Sequence, residues 1–237
     1  MATGGYLLEL GATPYLEAWN IQRSLAGAVS QGAIPDTIML LEHPPVVTLG
    51  RRTEDDELHI PENTAVEIVE TNRGGKSTFH GPGQLVCYPI LDLKRHGSDV
   101  KQYVRDLEEA LIRTLAPLGL EGTRIDGLAG VWLARPPRKI ASIGVHVSRW
   151  VTTHGYALNV DLDPAPFTDW ITACGLEDAM FTTIARELDR PVTVDDVRPH
   201  AVAALEEVFG LELEALPAED GAGLWPQPRH AQLAAKA

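Results

Sequence analysis

Strand-like segments arrive in this chain in clusters separated by longer helical stretches, a grouping that argues against the regular strand–helix alternation of a doubly wound parallel sheet. Short apolar runs at Thr37–Leu41 and Val46–Leu49 flank a rigid Glu42-His43-Pro44-Pro45 turn, Arg51–Glu57 is a charged loop, and Ala65–Val69 reads as another strand. Gln84–Leu91 alternates Val86, Tyr88 and Ile90 against Leu85 and Cys87. A second cluster follows at Val131–Ala134, Lys139–Val147 and Thr153–Val160, with hairpin-like links. Between them, Thr13-Pro14 opens an amphipathic helix through Leu16, Trp19, Leu25 and Val29 that stops at Gly32. Ser98 is the expected cap of a second helix, whose Val100, Val104, Leu107, Leu111 and Leu115 keep helical spacing up to Gly119. Phe167–Ala173 reads as a short helix and Thr193–Phe209 as a longer one ending at Gly210. The expected fold is α+β, with a mixed, largely antiparallel sheet flanked by helices.

At 237 residues and 44% hydrophobic content the chain carries a real core. The pattern predicts one catalytic-sized domain over residues 1–216 and a Pro/Ala-rich tail over 217–237. No apolar run is long enough for a membrane span, and Met1–Leu10 lacks the basic and apolar regions of a secretory signal, so a cytoplasmic location is expected. The two cysteines, Cys87 and Cys174, read as free thiols in a reducing compartment. A net charge of −13 argues against a nucleic-acid partner. That total is unevenly spread: residues 161–220 hold fifteen acids and three bases, whereas residues 71–160 hold twelve bases and seven acids. Arg73, Lys76, Arg135, Arg138, Lys139 and Arg149 make the middle of the chain locally basic.

That basic middle contains the densest motif, Arg73-Gly74-Gly75-Lys76-Ser77-Thr78-Phe79-His80-Gly81-Pro82-Gly83-Gln84. Its Gly-Lys-Ser is a decoy for a phosphate-binding loop, because Glu70 stands where that motif needs glycine and Gly81-Pro82-Gly83 breaks any following helix. Physically, Gly74 and Gly75 let backbone approach an extended ligand, while the Gly-Pro-Gly reversal aims Thr78 and His80. A ligand-free glycine-rich hairpin is the plainer alternative.

The run RGGKSTFHGPGQLVCYPILDL, followed in order by GVWL, KIASIGVHVSRWVTTHGYALNVDL and ACG, resembles the bacterial lipoyl(octanoyl) transferases from about Leu8 to Leu188. The resemblance implies the catalytic-domain fold shared by biotin and lipoate protein ligases. It further implies transfer of octanoyl from acyl carrier protein to a lysine on lipoyl domains of 2-oxo acid dehydrogenases and on the glycine cleavage H protein. A monomer is expected, and no cofactor, since thioester to amide is strongly downhill and needs no ATP. By the same resemblance Cys174 is the nucleophile and Lys139 its partner. Arg73, Gly74, Gly75, Lys76, Ser77, Thr78, Phe79 and His80 line the acyl site together with Ser142, Ile143, Gly144, Gly155, Tyr156 and Ala157. Two positions depart from the family pattern: Ala173 stands where proline is common, and Asn72 where aspartate is frequent.

The chemistry fits those residue types. A free thiol with a pKa of about 8.5 is only slightly ionised at neutral pH, and a neighbouring ammonium would favour the thiolate. On the residues alone, Cys174 is equally a small core residue between Ile171 and Leu176, Lys139 a surface charge, and Cys87 a core residue in an apolar strand. His80 is either a substrate-positioning or proton-relaying group or a hydrogen-bonded structural histidine. Backbone amides near Gly144 or Gly155 are candidates for an oxyanion hole. Scattered His43, His59, His96, His146, His154, His200 and His230 show no metal-ligand spacing and read as structural or solvent-facing; no metal is expected. A basic mouth formed by Arg51, Arg52, Arg73, Lys76, Arg138 and Arg149 would steer acidic protein partners. The rival readings are an ATP-dependent lipoate or biotin ligase, which would need an adenylate site and no thiol, and a non-catalytic acyl-carrier binding module.

Overall fold

A chain segment with no polar face must be covered on both sides, and Gln84–Leu91 is such a segment. In the computed structural model, which describes residues 2–62, 64–134, 136–172 and 180–217, this segment lies inside a nine-stranded sheet. The strands, in chain order, are β1 (Thr3–Ala12), β2 (Thr37–Glu42), β3 (Val46–Leu49), β4 (Glu67–Glu70), β5 (Thr78–His80), β6 (Gln84–Ile90), β7 (Gly122–Ile125), β8 (Leu128–Ala134), β9 (Pro137–Ser148), β10 (Val151–Asn159), β11 (Met180–Phe181) and β12 (Leu211–Ala215). The large sheet runs β12-β1-β2-β6-β10-β9-β8-β7, with β11 added alongside β9. The β12–β1, β1–β2 and β11–β9 pairs are parallel and the others antiparallel, which is the expected mixed, largely antiparallel arrangement.

The two side-chain sets read from β6 separate as the alternation requires. Val86, Tyr88 and Ile90 pack beneath α1 (Tyr15–Ser30) with Ile21, Leu25 and Val29. Leu85 and Cys87 face α2 (Val100–Leu115) and α5 (Val194–Phe209), against Leu107, Leu111 and Leu205. A smaller sheet, β4-β3-β5, stands apart from the large one. The Pro44-Pro45 turn therefore carries the chain from one sheet to the other instead of closing a hairpin. Two short helices, α3 (Pro166–Asp169) and α4 (Ile184–Leu188), and three 3-10 turns, Asp55–Glu57, Leu93–His96 and Ala116–Leu118, complete the described elements.

Several expected boundaries move, each for a local reason. Asp99, not Ser98, caps α2, accepting from the amides of Lys101 at 2.8 Å and Gln102 at 3.1 Å. Ser98 instead adopts a left-handed conformation, φ 54°, that closes the preceding turn onto Leu93. Thr13 turns its hydroxyl back to Gly11 O, leaving Pro14 at the N-cap of α1, and Leu16, read as apolar-face, is 48% exposed. The helix expected over Phe167–Ala173 ends at Asp169, because Ile171 is drawn into a bridge with Leu58; Ala173 lies outside the described residues. The longer helix is found where expected, with a Thr193–Asp196 capping box and Gly210 at φ 64°. No helix among the described residues is long and apolar enough to cross a membrane.

Candidate active site

Lys139 is placed by a defect in the sheet. Pairing between β8 and β9 shifts register between Val131↔Ala141 and Trp132↔Lys139, so β9 holds one extra residue there. Such a bulge re-aims side chains, and here Lys139, Ile140 and Ala141 are all buried, Lys139 at 2% exposure. Gly130, at φ 127°, is required opposite it: a Cβ there would lie 2.4 Å from Ala141 O and 2.9 Å from Lys139 Cε. The ammonium sits 5.3 Å from the Trp132 ring centroid. A surface-charge role for Lys139 is thereby excluded.

Lys139 contributes to the wall of a cavity of about 260 Å³. The sheet side consists of Ser142, Ile143 and Gly144 from β9 with Gly155, Tyr156 and Ala157 from β10, in which Gly155 and Gly144 are cross-strand partners. Opposite lie Arg73, Gly75, Lys76, Ser77, Thr78 and His80. Twelve of the fourteen residues expected to line the acyl site thus converge. Gly74 and Phe79 fall outside the wall. Gly74 donates its amide to Val145 O at 2.9 Å and so lays the segment on β9, which leaves no room for a side chain at Gly144: a Cβ there would meet Gly74 O at 3.0 Å. Phe79 turns the other way, into an edge-on cluster with Phe167 and Trp170.

Half of the expected basic mouth is engaged inside the protein. Arg73 is buried and spends its guanidinium on the protein itself, with Nη2 donating to Thr48 O at 2.7 Å and Nη1 to Lys76 O at 2.8 Å. It cross-braces the glycine-rich segment to β3. Lys76 pairs with buried Glu57, and Arg138 makes a bidentate pair with Glu187 at 2.7 Å for both contacts. Arg51, Arg52 and Arg149 do stand exposed; Arg135 lies outside the described residues.

Among the side chains on this wall that the sequence reading did not place on it are three with polar groups: Tyr15, Tyr88 and His154. They come from α1, β6 and β10, with no local motif to announce them, and His43 packs behind them. His43 Nδ1 donates to Thr13 O at 2.6 Å, so its Nε2 accepts from the Tyr88 hydroxyl at 2.7 Å. His154 Nε2 lies 2.8 Å from Asn72 Oδ1, the position where the family often has aspartate, and its Nδ1 lies 3.3 Å from the Tyr15 hydroxyl. Burial pushes His43 down to about 4 and His154 to about 3, and raises Tyr15 to about 12. These rings are neutral at neutral pH.

The state of His80 follows from a relay of amides. Thr182 O can only accept, so Asn159 presents its Nδ2 there at 3.1 Å and its Oδ1 to Gln84 Nε2 at 3.0 Å. Gln84 Oε1 then accepts from His80 Nδ1 at 2.7 Å. His80 is therefore the Nδ1–H tautomer with an acceptor Nε2, and burial, with His43 nearby, holds its pKa well below the usual value. The relay ends beside Lys139, whose carbonyl accepts from Thr182 N at 3.0 Å. Ser77, 2% exposed, has a hydroxyl with no hydrogen-bond partner among the described residues.

Cys174 lies outside the described residues, but the chain on either side of its segment is anchored. Before it, Thr172 N donates to Glu57 O at 2.9 Å and Ile171 bridges Leu58. After it, β11 pairs Phe181 with Lys139. Cys87 is the core residue expected, fully buried, its thiol pKa pushed up by burial. Among the described residues no group of three His, Cys, Asp or Glu side chains converges to hold a metal.

The architecture is that of the lipoate protein ligases. A bipartite lipoate protein ligase from Thermoplasma acidophilum superposes with a TM-score of 0.72 at 16% identity, covering 93% of this chain and 90% of that one. A lipoate-protein ligase A bound with ATP gives 0.70 at 14% identity, over 94% and 92%. In sequence, residues 14–206 match the lipoyl protein ligase A/B catalytic domain. An octanoyltransferase of Chloroflexus aurantiacus is 49% identical over 87% of this chain and 96% of its own length, and one of Mycobacterium tuberculosis is 54% identical over 83% and 84%. The chain belongs to the lipoyl protein ligase A/B catalytic family and, within it, to the octanoyltransferases.

Proposed function

We propose that this octanoyltransferase moves octanoyl from acyl carrier protein to a lysine of lipoyl domains, including those of 2-oxo acid dehydrogenases and the glycine cleavage H protein, through a thioester on Cys174. The observation that carries this reading is the pairing of Phe181 with Lys139, which ties the strand six residues after Cys174 to the buried lysine of the cavity wall.

In the first half-reaction the Cys174 thiolate attacks the donor thioester carbonyl; a new carbon–sulfur bond forms, the donor carbon–sulfur bond breaks, and the departing carrier thiolate takes the Lys139 ammonium proton, which leaves that lysine as the free amine. In the second, the acceptor amine attacks, the Cys174 carbon–sulfur bond breaks and an amide forms. Lys139 as ammonium favours the thiolate, and as free amine it takes the proton released by the attacking lysine. The unsatisfied Ser77 hydroxyl supports a donor role toward the acyl oxygen. Burying the seven carbons beyond the carbonyl contributes on the order of 5 kcal/mol, at about 0.8 kcal/mol each. The catalytic unit in this reading is residues 1–216; of the tail expected over 217–237, residues 218–237 lie outside the described residues.

Intact-mass measurement after mixing with octanoyl-carrier protein tests this. One octanoyl increment, absent in Cys174→Ser, and onward transfer to a lipoyl domain without ATP are expected. An unchanged mass, or transfer that requires ATP, would overturn the thioester route.

A further inference from the structure

A second depression, of about 320 Å³, lies on the far side of the Asn72–His154 pair, between α1 and the β9–β10 hairpin. Asn72 and Thr153 face it, whereas the adjacent His154 belongs to the acyl cavity. In a chain of net charge −13 its lining includes Arg23, Arg149 and His146 and, among the described residues, no acid. The cations are on display: Arg23 and Arg149 are exposed, and Arg23 lies over the Trp19 ring at 5.5 Å. Burial, helped by the charge of Arg51, lowers the pKa of His146.

The hairpin tip is built against its own backbone preference. Ser148 pairs with Val151, leaving Arg149 and Trp150 as a two-residue loop with φ of 51° and 68°. Two left-handed residues in such a loop call for Asn-Gly. This chain instead holds an arginine and a tryptophan that is 41% exposed. Trp150 O accepts from Leu93 N at 2.8 Å, which pins the loop backbone, while both side chains are exposed; strain of that kind beneath two exposed side chains points outward.

We propose that this groove and hairpin tip dock the acidic carrier protein that delivers the acyl group, with Arg149 and Arg23 meeting its carboxylates and the phosphodiester of its acyl-bearing arm. The inference rests on the transfer reading above and specifies where its donor binds. Position selects the donor over the acceptor: a lysine side chain is short, so an acceptor domain must sit on the cavity mouth, while a thioester on a long arm lets the carrier body rest to one side. Guanidinium groups suit phosphate oxygens through paired N–H donors.

The test compares wild type with Arg149→Asn/Trp150→Gly and with Arg23→Ala. Donors are octanoyl-carrier protein and octanoyl-pantetheine, and the acceptor is a lipoyl domain. Both variants should raise KM for the carrier by about tenfold while leaving kcat, the KM of the small donor and the KM of the acceptor unchanged. The double variant should also melt at a higher temperature, since Asn-Gly suits the turn. An unchanged carrier KM, or a raised acceptor KM, overturns the assignment. Calorimetric binding of the carrier separates the two readings: an inert wild type that still binds the carrier through Arg149 sinks the transfer and keeps the docking site, whereas equal binding by all three proteins sinks the docking site.

Discussion

At the residue scale, Lys139 shows how a short sequence block and a distant packing defect combine. The lysine itself was legible through the KIASIG block, and its burial was not, because that depends on a one-residue bulge and on Gly130 from the neighbouring strand. Lys139→Ala removes the buried amine of the cavity wall, so it should slow transfer by ~10²–10⁴-fold in a steady-state assay with octanoyl-carrier protein and a lipoyl domain. Lys139→Arg keeps the cation and loses the proton acceptor, since guanidinium stays protonated. It should accumulate octanoylated enzyme that passes its cargo on slowly, visible by intact mass in the presence of acceptor. Loss of both steps in this variant would mean that charge is not what the lysine supplies. Tyr15, Tyr88 and His154 were illegible for a different reason: each belongs to an ordinary amphipathic pattern, and only the fold brings them to one wall.

Among the elements, the strands richest in buried residues and the helix with a capping box were readable to within a residue or so, as Val46–Leu49 and Val194–Phe209 show. β1 and β12 were not read, because half-exposed strands pairing in parallel at the sheet edge carry glycines and acids that look like connecting chain. Nor was the division into two sheets legible, since strand partners are a long-range property. The caps are testable: Asp99 satisfies two α2 amides, so Asp99→Ala should destabilise by about 1 kcal/mol, and Ser98→Ala by much less. Equal losses in chemical denaturation would reinstate Ser98 as the cap.

For the whole molecule, the buried neutral histidines set an acid limit. His43 falls from 6.5 to about 4 on folding and His154 to about 3, with His80 lowered as well. A folded value below the unfolded one means the unfolded chain binds more protons in the interval. Their contribution to stability is complete above about pH 6.5 and is lost as pH falls toward those folded values. For His43 alone the change is on the order of 3 kcal/mol. Denaturation midpoints should therefore drop steeply between about pH 6.5 and 4, and His43→Gln should flatten the slope. A profile unchanged by that substitution would place the acid sensitivity elsewhere.

The cavity has one side that can yield and one that cannot. Strands β9 and β10 are bonded to each other and to β8 and β6, so the sheet side has no slack for a bulkier guest. The facing turns of the glycine-rich segment, residues 73–77, rest on it and lie outside any strand. On the proposed transfer, acyl length would be gauged like an object in a vice with one fixed jaw: selectivity for shorter or longer fatty chains should drift by substitution in those turns while the scaffold that holds the lysine stays as it is.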